Sequence, residues 1–186
     1  MTFRRYELFQ KIAPLLSDAL VICNIGFPSQ EFYAIKDAAN HFYMLGSMGL
    51  SSSIGLGLSM TTDKKVVAID GDGSVLMNLG TFATLGNSAP SNYILLIVDN
   101  GAYGSTGDQP TFTSGATDLA AMARAGGLQN VIEVAGQDIE ATLNQCLAEE
   151  GPHVIVAKVE PGSQKPTAIP LSPSEIRGRF MREVAR

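Results

Sequence analysis

Two segments of this chain carry oxygen donors where an apolar strand gives way to glycine. Val66-Val67-Ala68-Ile69-Asp70-Gly71-Asp72-Gly73-Ser74 runs from a buried strand pattern through glycines into a helical pattern. Ile94-Leu95-Leu96-Ile97-Val98-Asp99-Asn100 ends a second apolar strand on two polar side chains. The first junction suits an anion, because N–H groups at a helix start point outward with the positive end of the dipole and glycines let a diphosphate come close. One crossover helix separates the two segments. A right-handed βαβ unit makes its strands parallel and often adjacent, about 4.8 Å apart, so Asp72 and Asn100 are expected at one sheet edge. Two hard oxygen donors beside a phosphate-binding turn form a set that magnesium takes together with substrate phosphates. Taken singly, each segment has a plainer reading: a tight turn with Asp72 near a helix cap, and an ordinary Asn100-Gly101 turn. Taken together, they favour metal-diphosphate binding.

The elements that must position these donors alternate. Residues 19–23, 42–45, 65–69, 93–98, 131–134 and 154–159 read as strands, and residues 6–16, 29–35, 49–60, 75–85, 118–125 and 139–147 as helices, with Pro14 weakening the end of the first. Strands separated by helix-length crossovers imply an α/β fold, a parallel sheet with helices on both faces. Residues 161–166, rich in proline and glycine, break the pattern as a linker. Ser172-Pro173-Ser174-Glu175 has the form of a capping box opening a C-terminal helix. No internal repeat or low-complexity tract interrupts the chain.

At 186 residues the chain has the length of a single domain spanning residues 1–186, with residues 161–186 as linker and terminal helix. A formal charge of −5 and a pI near 5.0 offer no basic stripe for nucleic acid. The N-terminal residues Met1 to Arg5 lack the apolar stretch of a signal peptide, and no apolar run approaches the roughly 20 residues that span a bilayer, which points to a cytoplasmic protein. Cys23 and Cys146 have no metal-type spacing and read as buried thiols. His41 and His153, the two histidines of the chain, sit in no nucleophile or metal pattern and read as structural.

Gly71-Asp72-Gly73 followed by Asp99-Asn100 resembles the signature of thiamine diphosphate (ThDP) enzymes, which usually closes on two asparagines; here Asp99 stands first. The resemblance implies the diphosphate-binding type of the ThDP fold. It also implies Mg²⁺ held by the side chains of Asp72 and Asn100 and the carbonyl of Ala102, with Gly73 and Ser74 donating to the diphosphate. Gly46-Ser47-Met48-Gly49 resembles the turn that grips the cofactor's pyrimidine, with the Gly46 carbonyl and Met48 N–H bonding the ring. Met48 would be the wedge that holds the cofactor bent; as a lone methionine it would read as core filler. The stretch Asn100-Gly101-Ala102-Tyr103-Gly104-Ser105-Thr106-Gly107-Asp108-Gln109-Pro110-Thr111 resembles the loop of sulfopyruvate and phosphonopyruvate decarboxylases, with the beta subunits of the former most similar. Ser105 and Gln109 are candidates near the cofactor, and a structural loop explains Gln109 equally well. Ser29 is a candidate phosphate contact after the first strand, while Gln30 stands where these decarboxylases often carry a basic residue.

ThDP enzymes of this class need an activating glutamate from a pyrimidine-binding domain, which this chain is too short to contain. The resemblance therefore implies an alpha subunit as partner in an alpha/beta heteromer, and decarboxylation of 3-sulfopyruvate to sulfoacetaldehyde and CO2, a step of coenzyme M biosynthesis or sulfonate metabolism. The competing readings are a phosphonopyruvate decarboxylase, an acetolactate-synthase-like enzyme, a non-catalytic ThDP-binding regulatory subunit, and a Mg-dependent phosphate-handling protein using Asp70 and Asp72.

Overall fold

The computed structural model describes residues 3–186, so the readings of Met1 and Thr2 lie outside the described residues. In chain order the elements are α1 (Arg5–Ile12), β1 (Leu20–Cys23), α2 (Phe27–Ile35), β2 (His41–Tyr43), α3 (Ser51–Ser59), β3 (Val66–Gly71), α4 (Asp72–Val75), α5 (Gly80–Ser88), β4 (Tyr93–Asp99), β5 (Ala102–Tyr103), β6 (Gln109–Pro110), α6 (Leu119–Ala125), β7 (Asn130–Ala135), α7 (Ile139–Ala148), β8 (His153–Lys158) and α8 (Pro173–Val184). Six strands form one sheet in the order β2-β1-β3-β4-β8-β7, while β5 and β6 make a separate ribbon. Every neighbouring pair in the large sheet is parallel.

Buried runs such as those of β1 and β4 follow from helices covering both faces. Alternate strand residues sort into two cores. Val67, Ile69, Ile94 and Leu96 pack with Phe9, Ile12 and Leu143 of α1 and α7, and Val66, Ala68, Leu95 and Ile97 pack with Leu56, Phe82 and Leu119 of α3, α5 and α6. Among the described residues, no helix is long and apolar enough to cross a membrane.

The helix expected over residues 75–85 is two helices. Asn78 turns its amide onto the Gly49 carbonyl at 3.0 Å and Ser53 Oγ at 3.0 Å, so the chain bends between α4 and α5 to aim that side chain away from a continuous helix. Pro14 ends α1 at Ile12, and a 3-10 turn over Ala13–Leu16 follows, since proline lacks the N–H that would continue the helix. At the other end of the chain the capping box forms: Glu175 N donates to Ser172 Oγ at 3.2 Å and Ser172 N to Glu175 Oε2 at 2.8 Å. From there α8 covers the β2 edge, with Ile176 and Phe180 buried and the Phe42 and Phe180 rings 5.5 Å apart, which shields a strand edge from stray pairing. The preceding segment is fastened by a buried ion pair. Arg5 Nε donates to Glu31 Oε2 at 2.7 Å, Arg5 also donates to Ser163 Oγ at 2.9 Å, and Gln164 N donates to Glu31 Oε1 at 2.8 Å.

His41 is fully buried on β2, with Nδ1 3.2 Å from the Tyr43 hydroxyl and no partner for Nε2. Burial pushes its pKa from 6.5 down to about 4. Folding thus disfavours the imidazolium, so the stability attached to the neutral ring is fully present above pH 6.5 and is lost as pH falls through about 4. His41→Phe is expected to flatten the fall in unfolding free energy across that window by about 2–3 kcal/mol, read by urea titration at several pH values. An unchanged slope would assign the pH dependence elsewhere.

Candidate functional site

β1 leads outward to β2 while β3 leads the opposite way to β4, so a crevice opens beyond the carboxyl ends of β1 and β3, where open α/β sheets bind ligands. Asn24, Gly26, Met48, Asp72, Gly73, Ser74, Asn100, Ala102, Tyr103 and Ser105 all line this cleft.

Parallel pairing sets Gly71 beside Val98, so the residues after each strand end emerge together. The Asn100 carboxamide, with its nitrogen inward, donates to Asp72 Oδ1 at 3.1 Å and to the Ala102 carbonyl at 3.0 Å. With its oxygen inward, three oxygens would meet with no proton between them, an arrangement that a cation relieves. Those spacings match the edge of an octahedron, about 3 Å when oxygens sit 2.0–2.1 Å from a magnesium ion. Among the described residues, no group of three or more His, Cys, Asp and Glu side chains is placed to hold a metal, so a cation here depends on carboxamide and carbonyl oxygens beside one carboxylate.

Asp72 is 1% exposed. Burial pushes its carboxyl above the usual range, the Asp99 charge adds to this, and hydroxyl bonds from Thr111 and Thr113 oppose it. The other acid of the segment differs. Asp70 accepts from Gly71 N at 2.9 Å, its Oδ2 has no partner, and burial raises its pKa to about 6. Asp99 accepts from Lys158 on the neighbouring strand and, at 2.8 Å, from Thr113.

The turn after β2 docks on the turn after β3. Gly49 N donates to Ser74 Oγ at 2.8 Å, Ser74 Oγ donates to Asn24 Oδ1 at 3.3 Å, and Asn78 holds the Gly49 carbonyl. This places Met48, half-buried, in the same cleft as Asp72. Ser47 sits at φ 61, a conformation that costs a non-glycine residue of order 1 kcal/mol and is held by its surroundings. Gly73 is required by the ring above it, since a Cβ there would lie 2.2 Å from Tyr103 Cε1.

Not every expected contact reaches the cleft. Ser29 is buried away from it and donates to the carbonyls of Cys23 at 3.2 Å and Asn24 at 2.5 Å; its proton closes the end of β1, which corrects the phosphate contact expected from sequence. Gly46 borders a neighbouring apolar groove with Phe42, Ile54 and Ile176. Gln109 is exposed and stitches the loop to Thr106, donating to its carbonyl at 2.8 Å and accepting from its hydroxyl at 2.9 Å. Ser105, by contrast, lines the cleft and lies against Gly26, within 2.8 Å of where a Cβ would stand. Both cysteines are buried, and burial pushes Cys23 up to about 12 and Cys146 to about 11, so neither is a nucleophile at neutral pH. Asn24, Tyr103, Thr111, Thr113 and Lys158 join the site only in the folded chain. Two threonines spaced by one residue at the end of a glycine-rich loop were the available signal.

A parallel sheet with a cleft at its carboxyl edge is the arrangement of a ligand-binding α/β domain. Residues 24–157 match the family model "Thiamine pyrophosphate enzyme, C-terminal TPP binding domain", and the chain belongs to that family. It is 46% identical over its full length to the sulfopyruvate decarboxylase subunit beta of Methanococcus maripaludis, covering 100% of that protein. It is 42% identical to the phosphonopyruvate decarboxylase of Streptomyces viridochromogenes, over 91% of this chain and 43% of that enzyme. A solved structure from Mycobacterium smegmatis, described as a thiamin diphosphate-dependent enzyme, superposes with TM-score 0.68 at 21% identity, covering 87% of this chain and 32% of that one; that likeness shows the fold.

Gly73→Ala is expected to force the Tyr103 ring off the turn and to lower stability by about 1–3 kcal/mol, measured by thermal unfolding. Adding Tyr103→Ala should recover most of that loss relative to Tyr103→Ala alone, and full additivity would show that the contact is not what demands glycine.

Proposed function

We propose that this chain is the diphosphate-binding beta subunit of a ThDP- and Mg²⁺-dependent 2-oxo acid decarboxylase in the cytoplasm, converting 3-sulfopyruvate to sulfoacetaldehyde and CO2. The observation that carries this reading is the corner where Asp72, Asn100 and the Ala102 carbonyl meet within 3.1 Å, in a chain matched end to end by a sulfopyruvate decarboxylase subunit beta.

The cofactor, when bound, supplies the electron sink that a 2-oxo acid needs to release CO2. This chain's residues hold and shape it. Asp72, Asn100 and the Ala102 carbonyl would hold Mg²⁺, which would supply positive charge beside a diphosphate. The backbone N–H groups of Gly73 and Ser74 would donate to that diphosphate, with Ser105 in the same cleft. The Met48 N–H would bond the aminopyrimidine and the Met48 side chain would support the cofactor's conformation, while Gly46, expected beside them, borders the neighbouring groove.

A partner chain is supported by the subunit beta relatives and by the acids that line the cleft among the described residues, Asp70 and Asp72. An alpha chain then supplies the activating glutamate. Its docking surface has a candidate in exposed apolar side chains beside the Met48 turn: Leu45 is 59% exposed, Leu50 41% and Met77 63%, a grouping that marks interaction surfaces.

The test is to co-purify the chain with its partner and assay CO2 release from 3-sulfopyruvate, phosphonopyruvate and pyruvate with ThDP and Mg²⁺. The complex should prefer 3-sulfopyruvate and the isolated chain should be inert; turnover without the partner would refute the shared site, and preference for phosphonopyruvate would reassign the substrate. Met48→Ala in the complex is expected to lower kcat by about 10-fold or more while ThDP affinity changes less. A normal kcat would remove the supporting role of this side chain.

A further inference from the structure

The two oxygens of Asp72 have different surroundings. Oδ1 faces the Asn100 carboxamide at 3.1 Å. Oδ2 accepts from Thr111 Oγ1 and, at 2.8 Å, from Thr113 Oγ1. Thr113 Oγ1 also lies 2.8 Å from Thr111 Oγ1 and 2.8 Å from Asp99 Oδ1, so its single proton is shared between two buried carboxylates. Asp99 is fixed in turn from the far side: Oδ1 accepts from Gly101 N at 3.2 Å, and Oδ2 is paired with the Lys158 ammonium, which parallel register sets directly opposite.

Those neighbours explain why position 99 holds an acid. Both Asp99 oxygens meet fixed donors, an N–H on one side and an ammonium on the other. An asparagine would turn its NH2 group against one of them, leaving donor facing donor. Lys158 thus favours an acid at this position, and the pair sits beside Thr113.

We propose that Thr113 is a positioning residue that restricts Asp72 to single-oxygen coordination of a hard cation, and that the Asp99–Lys158 ion pair holds Thr113 in place. This rests on the metal-diphosphate reading of the same corner. The consequence is selectivity. Mg²⁺ demands a small octahedral shell, whereas Ca²⁺ accepts six to eight oxygens and bidentate carboxylates at longer distances. With Oδ2 committed to hydroxyls, the carboxylate suits Mg²⁺; with Oδ2 released, it can close on Ca²⁺ through both oxygens.

The test titrates ThDP calorimetrically into the assembled complex across Mg²⁺ and Ca²⁺ series, comparing the half-saturating concentrations of the two ions. Thr113→Val is expected to shift the ratio toward Ca²⁺ by about 10-fold, Thr113→Ser to keep the wild-type ratio, and Asp99→Asn to shift it in the same direction as Thr113→Val. A merely structural threonine would weaken both ions equally, so an unchanged ratio in Thr113→Val overturns the proposal. Should that variant not fold, an unchanged ratio in Asp99→Asn overturns it equally. Wild-type complex that binds ThDP without any divalent ion would instead overturn the metal-diphosphate reading, and this inference with it.

Discussion

Two carboxylates buried side by side at the tips of neighbouring strands are an electrostatic burden that the rest of this corner is built to relieve. Asp72 and Asp99 are 1% and 3% exposed, where ionised groups without partners are strongly disfavoured. The relief comes from three directions. Lys158 on β8 neutralises Asp99, threonine hydroxyls from the loop after β6 satisfy Asp72 Oδ2, and Asp72 Oδ1 is left facing the Asn100 carboxamide and the Ala102 carbonyl. That remaining oxygen cluster has no donor between its members when the carboxamide oxygen faces inward.

The same constraint shapes the chain around it. The segment from Gly101 to Ser114 folds back because Thr111 must reach Asp72, and its base is closed by Thr111 N donating to the Gly101 carbonyl at 2.9 Å. Tyr103 is thereby laid over Gly73, and Ser105 is brought to Gly26. On the other side of the cleft, Ser74 and Asn78 clamp Gly49 by its N–H and carbonyl. One short segment after β3 thus organises both the Asp72 corner and the Met48 turn, which fixes the distance between the two sides of the cleft.

Much of this was legible in the residue order. Apolar runs ending in glycine placed β3 and β4, the single intervening helix placed their tips together, and the pairing of Asp72 with Asn100 followed from the handedness of a βαβ unit. Boundaries were less legible where a side chain competes with the backbone: Asn78 splits an otherwise continuous helical pattern, and nothing in its neighbours announces that Gly49 is its partner.

What the linear order of residues settled was the class of fold and the meeting of Asp72 with Asn100 at one sheet edge, since both rest on periodicity and on turns between elements close in sequence. What folding alone could settle was the assignment of protons among polar groups far apart in the chain. Ser29 looked free for a phosphate until the carbonyls ending β1 claimed its hydroxyl, and Asp99 looked like a departure until sheet register brought Lys158 opposite it. Hydrogen bonds are satisfied by whichever partner arrives in space, and arrival depends on register and crossover that no local pattern encodes.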